Sequence, residues 1–92
     1  MLSLVTALPG AELVEKGISD LDRGVESVEA LLVSIGAPRL ERLGYRVSSP
    51  VESPELRLYE RLAREDANSA HSRYNALVRR LVRFERAAES VG

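Results

Sequence analysis

Residues 53–91, SPELRLYERLAREDANSAHSRYNALVRRLVRFERAAESV, decide the fold. Ser53-Pro54-Glu55 is a strong helix start: a serine at the N-cap, a proline at N1 where its missing N–H costs nothing, and an acid in the first turn. Neither proline nor glycine then occurs until Gly92. An apolar seam runs through Leu56, Tyr59, Ala63, Ala67, Ala70, Tyr74, Leu77, Leu81, Phe84, Ala88 and Val91. From Tyr59 onward its steps are mostly four and three, the spacing of a left-handed helix–helix seam. The pattern predicts one long amphipathic helix over 54–90, continuous or kinked.

Length sets what such a helix needs. At 1.5 Å per residue it would span roughly 55 Å. A compact domain of this size has a diameter of roughly 32 Å. The weak point is Asp66–Ser72, where Asp66, Asn68, Ser69 and Ser72 are poor helix formers and Ser69 suits an N-cap. Either the helix breaks there and folds back on a self-contained bundle, or a second chain covers the overhang. The overhang favours a homodimer, since two-fold pairs are the commonest assembly.

The chain ahead of this segment reads as three short helices over 11–44. Leu13, Val14, Ile18 and Leu21 recur at helical spacing from Ala11 to Arg23, with Glu12, Glu15 and Asp20 on the opposite face and Gly24 as the stop. Gly17 lies inside this helix, where it costs roughly 1 kcal/mol relative to alanine and admits another backbone. Ser27 suits the N-cap of a second helix with Val28, Leu31, Leu32 and Ile35 inward and Gly36 as its end. Pro38 starts a third, with Leu40 and Leu43 inward and Gly44 as its stop. Residues 45–53 are a linker in which Tyr45–Val47 are extended. Residues 1–10 read as an apolar docking arm cut off by Pro9-Gly10, too short for a membrane span and without the basic start of a signal peptide. The whole is one all-α domain, residues 1–92: a helical bundle of three short helices packed against one long C-terminal helix.

Composition narrows the function classes. The 92 residues include one Phe, three Tyr, no Trp and no Cys. The core must therefore come from aliphatic side chains, and neither a disulfide nor a thiolate metal site can form. That fits a reducing, cytoplasmic setting. Formal charge is −1, against a generic polyanion binder, but it is unevenly spread. Residues 1–53 carry 5 basic and 8 acidic side chains, and residues 54–92 carry 8 and 6. An acidic front and a basic rear are complementary, within one chain or between chains.

Three groups of residues are candidates for function. Ala63, Ala67 and Ala70, followed by Tyr74, Leu77, Leu81 and Phe84, are small and apolar enough for a close helix crossing, the expected homodimer interface. Arg64, Asn68, His71 and Asn75 share a polar stripe beside that seam and are the candidate ligand or partner contacts; His71 is the only histidine. Arg79, Arg83 and Arg86 are a basic group that fits an acidic protein partner better than nucleic acid, since no exposed aromatics interleave them. With one His, no Cys and no Gly-rich phosphate loop, neither a metal nor another cofactor is expected.

Arg64-Glu65-Asp66-Ala67-Asn68-Ser69-Ala70-His71 resembles the arginine–histidine motif of HEPN-type ribonucleases, in which both residues sit on a helix at a dimer interface. The resemblance covers this octapeptide alone. Glu65 stands where that family often has a small polar residue. It implies an RNA-cleaving or nucleic-acid-binding role with Arg64 and His71 brought together across a dimer. A small-ligand regulator, with a pocket near Asn68, His71 and Asn75, is the other alternative. The reading the residues favour is a non-enzymatic helical interaction module that acts as a homodimer, with no membrane partner.

Overall fold

The computed structural model describes residues 8–91. Its elements are α1 (Ala11–Asp22), α2 (Val28–Ile35), α3 (Ala37–Arg42), α4 (Pro54–Glu65) and α5 (Ala70–Val91). No strand occurs among the described residues, so Tyr45–Val47 is irregular rather than paired. The all-α bundle is as the sequence predicts. Residues 1–7 of the expected docking arm lie outside the described residues. Leu8 packs against the core, and its carbonyl accepts the Ala11 N–H at 3.1 Å.

The stretch 54–90 takes the broken alternative. Asp66 leaves the helix in an extended conformation (φ −161°, ψ 100°). Its side chain then holds a turn: Oδ1 accepts the Asn68 N–H at 3.1 Å, and its carbonyl accepts the Ser69 N–H at 3.2 Å. Aspartate competes with the helix in this way because its short carboxylate reaches backbone amides two residues on. Ser69 precedes α5 and its carbonyl accepts the first helical bond, from Arg73 N–H at 3.0 Å. Its hydroxyl, however, is directed to the Asp66 carbonyl rather than to a helix amide. The fold-back is direct. Tyr59 and Tyr74 rings lie 5.9 Å apart in a T-shaped pair, whereas a continuous helix would separate them by roughly 22 Å. The 22 residues of α5 span roughly 33 Å, well short of the roughly 55 Å an unbroken helix would need, so length alone calls for no second chain.

The hub is α2, not the C-terminal helix. It packs on each of the other four helices. Its run Ala30-Leu31-Leu32-Val33 is wholly buried, as expected of a helix apolar on nearly every side. Ser27 caps it as predicted, accepting the Ala30 N–H at 3.0 Å. Against it α1 lies unusually close. A Cβ on Gly17 would strike the Glu29 carbonyl oxygen and the Val33 side chain, so the backbone approach that glycine permits is taken up by α2.

Asp20 corrects the sequence reading. Expected on the outer face of α1, it is 1% exposed. It accepts from Lys16 at 2.7 Å, from the Ser27 hydroxyl at 2.6 Å and from Arg23. These bonds outweigh desolvation and hold its carboxyl down to about 2, the Lys16 bond being the largest cause and Ser27 the next. The result is a staple across the α1–α2 turn. Gly24, at φ 72°, supplies the left-handed residue that turn requires.

The remaining loop is tied to the same hub. Buried Ser34 donates to the Ala30 carbonyl at 2.8 Å and accepts the Val51 N–H at 3.0 Å. Tyr45 packs its ring 5.5 Å from Phe84. At the start of α4 the sequence reading is half right. Pro54 occupies N1, but Ser53 is left-handed (φ 49°, ψ 51°) and its hydroxyl caps nothing.

Candidate interaction surface

The fold-back redistributes the predicted seam. Ala70, Leu81 and Phe84 are buried within the chain's own core, at 0%, 3% and 0% exposure. Their surface is spent inside one molecule. Ala63, Tyr74 and Leu77 are half-buried against that core. Ala67 is exposed in the turn. The three alanines thus fall on α4, on the turn and on α5, and form no single stripe. The assumption that failed is the straight helix that put them in line.

What stays outside is a different apolar set. Leu56 is 61% and Tyr59 39% exposed. With Ala63 they fall three and four residues apart, on one face of α4. The adjoining side of α4 carries Leu58 and Leu62, both fully buried. Tyr74 extends the patch through its contact with Tyr59. Partial burial, with the Glu55 carboxylate nearby, pushes the Tyr74 phenol up from its usual range, so it stays neutral at physiological pH. Glu55 and Glu60 flank this face and Arg64 lies further round α4, while Arg57 and Arg61 turn away toward Glu26.

The outer side of α5 has another character. Val78 and Val82 are one turn apart and half-buried. Shallow depressions of about 260 and 280 Å³ lie on either side of them. Arg79, Arg83 and Arg86 line the second, and Arg42 closes the first.

The acidic front and basic rear do meet within the chain. Arg80 bonds Glu12 at 2.7 Å, and Arg57 bonds Glu26 at 2.7 Å. Arg61 donates to the Glu26 carbonyl at 2.8 Å, while Arg73 reaches Glu65 at 3.0 Å within the rear segment itself. By contrast Arg79, Arg83 and Arg86 form no ion pair among the described residues.

The polar stripe is not brought together. Arg64 ends α4, Asn68 is in the turn, and His71 and Asn75 are on α5; all four are exposed. His71 Nε2 is 3.2 Å from the Asn75 amide nitrogen. Arg64 instead borders a depression of about 200 Å³ with Glu26, Arg57, Glu60 and Arg61. A larger cleft of about 510 Å³ opens between α2, α4 and α5, floored by Val28 and Leu77 and edged by Arg61, Arg73 and Arg80. It does not include Asn68, His71 or Asn75. Among the described residues no group of three or more His, Asp or Glu side chains is placed to hold a metal ion, and no helix is long and apolar enough to cross a membrane.

No protein family, curated protein or solved structure matches this chain.

Two features escaped the sequence reading. The buried Asp20 staple was signalled by Lys16, Arg23 and Ser27 at reachable spacings, a pattern equally common on solvated faces. Glu85 is the other. It lies in α5 at 4% exposure, with Arg39 at 3.4 Å. No local spacing marks it, because its partner comes from α3.

Proposed function

We propose that this chain is a non-enzymatic helical interaction module that works as a homodimer through the outer face of α4. The observation that carries the reading is the exposure of Leu56 and Tyr59 on one helix face of a bundle whose core is already closed. Large side chains left in water cost roughly 1.5–3 kcal/mol each relative to burial, so an adjacent pair of them is a surface suited to a partner. The flanking charges support self-pairing. A two-fold interface brings a patch against its own copy. With Glu55 and Glu60 flanking the patch and, on the same helix, Arg64 without an ion pair among the described residues, an antiparallel arrangement sets acid against base.

Sedimentation equilibrium at micromolar concentration tests the proposal. The wild-type chain runs as a dimer, and the double substitution Leu56→Ser, Tyr59→Ser runs as a folded monomer. A wild type that stays monomeric, or a dimer indifferent to both substitutions, contradicts it.

A further inference from the structure

We infer that the outer side of α5 is a second docking site, and that its occupant is an acidic amphipathic helix of a partner protein. The inference rests on the interaction-module reading but uses other side chains than Leu56 and Tyr59; Tyr74, at the edge of the α4 patch, is one turn from Val78.

The shape comes first. Val78 and Val82 belong to both depressions and form the ridge between them. Ile35, Pro38 and Leu81 complete the apolar floor on the α3 side. A ridge of side chains one turn apart, with a hollow on each flank, is the surface another helix packs against, its own rows entering the hollows. An amphipathic helix presents apolar groups at the matching spacing.

Charge selects among the occupants. Arg79, Arg83 and Arg86 rim the ridge, all exposed and none in an ion pair among the described residues. On the α3 side Arg39 engages both Glu85 and Glu89, so the two carboxylates that α5 contributes there are already committed. Arg42 lies beyond them at the edge of the first depression. The other arginines of the same helix, Arg73 and Arg80, do have acidic partners in the chain. Within α5 the unpaired set is thus confined to the face that carries the apolar ridge. A second copy docked by the same face would bring arginine against arginine, which disfavours symmetric self-pairing. A membrane surface would find on this ridge only two half-buried valines between arginines and no exposed aromatic to insert. Nucleic acid would satisfy the arginines but leave the valine ridge against phosphate and sugar, and no exposed aromatic offers a base a stacking face there.

The test uses fluorescence anisotropy with three labelled peptides, each about four helical turns long. One carries leucines on one face and glutamates on both flanks. The second has lysine flanks, and the third keeps the glutamates but replaces leucine with serine. The Glu/Leu peptide binds at least about tenfold more tightly than either control, and more weakly as salt rises. Val82→Ser reduces that binding, and the triple reversal Arg79→Glu, Arg83→Glu, Arg86→Glu transfers the preference to the lysine peptide. All three arginines are exposed, so circular dichroism and melting of the triple variant match the wild type. Equal binding of the two charge types overturns the proposal. So does undiminished binding of the serine peptide, which would mean simple ion pairing. Tighter arginine-dependent binding of duplex RNA or of anionic vesicles overturns it too. Leu56→Ser, Tyr59→Ser retains peptide binding and Val82→Ser retains the sedimentation behaviour of the wild type, so the failure of one surface is distinguishable from the failure of the other.

Discussion

The two helix pairs of this bundle, α1–α2 and α4–α5, are built on opposite terms. Between α1 and α2 there is no spare space. Gly17 lets the backbones close, and Asp20, held by Lys16 and Arg23 at its own end, reaches across the turn to Ser27. Between α4 and α5 the turn is exposed and held by one aspartate, and Leu56 and Tyr59 remain in solvent on the first turns of α4. The first pair is spent on stability. The second has surface left for recognition. In a chain with so thin a core this division matters, because a patch can be kept for a partner only where another part of the molecule holds the fold.

The contrast is broken most severely at Gly17. Gly17→Ala forces a methyl into the Glu29 carbonyl and Val33, and the expected loss is about 3 kcal/mol, the upper end of overpacking costs because one of the struck atoms is backbone. Chemical denaturation measures it. A loss under about 1 kcal/mol would mean that the helices separate easily.

Asp20→Ala comes next and has a pH signature. The carboxyl is held down to about 2 in the folded chain, against an ordinary value of 3.8. Its contribution is therefore complete above the unfolded value and lost as pH falls through the folded one. The variant melts below the wild type at pH 7, and the gap narrows between pH 4 and 2. A gap that persists at pH 2 would assign the effect to packing rather than to the ionised staple.

Glu85→Gln runs in the other direction. Burial pushes this carboxyl up from its ordinary value of 4.5, with Arg39 opposing the shift. The charged form is the disfavoured one, so the penalty is full above the folded value and absent below the unfolded one. The variant is more stable than the wild type at pH 7, and the gain disappears below pH 4.5. A loss at pH 7 would show that the Arg39 pairing outweighs desolvation. Smallest of all is the effect of Leu56→Ser on the stability of the monomer, expected within about 0.5 kcal/mol by denaturation at a concentration where the chain is dissociated.

Much of this arrangement is legible in the residues. Helix starts and stops at Ser27, Gly24, Pro54 and Gly44 follow from the backbone each residue prefers, a local property. The close approach at Gly17 is legible for the same reason. The seam from Leu56 to Val91 is not, because periodicity reports which side of a helix is apolar and says nothing of whether that helix continues. Asp66 decides continuity through one side-chain bond to the Asn68 amide, which competes with helix propagation by a small margin. The candidate site inherits that difference. Ala70, Leu81 and Phe84 turn inward, and Leu56 and Tyr59 on α4 are among the apolar groups left exposed, with Val78 and Val82 half-buried on α5. The arginines without partners could not be told from Arg73 and Arg80 in sequence, since each carboxylate partner lies on another element.

The central claim, that the chain folds back on itself at Asp66–Ser69, is tested most directly by isotope-filtered NMR on a mixture of labelled and unlabelled protein. The account predicts ring-to-ring NOEs between Tyr59 and Tyr74, which are 5.9 Å apart, within a single chain. NOEs found only between chains would mean a continuous helix exchanged with a partner, and would contradict it.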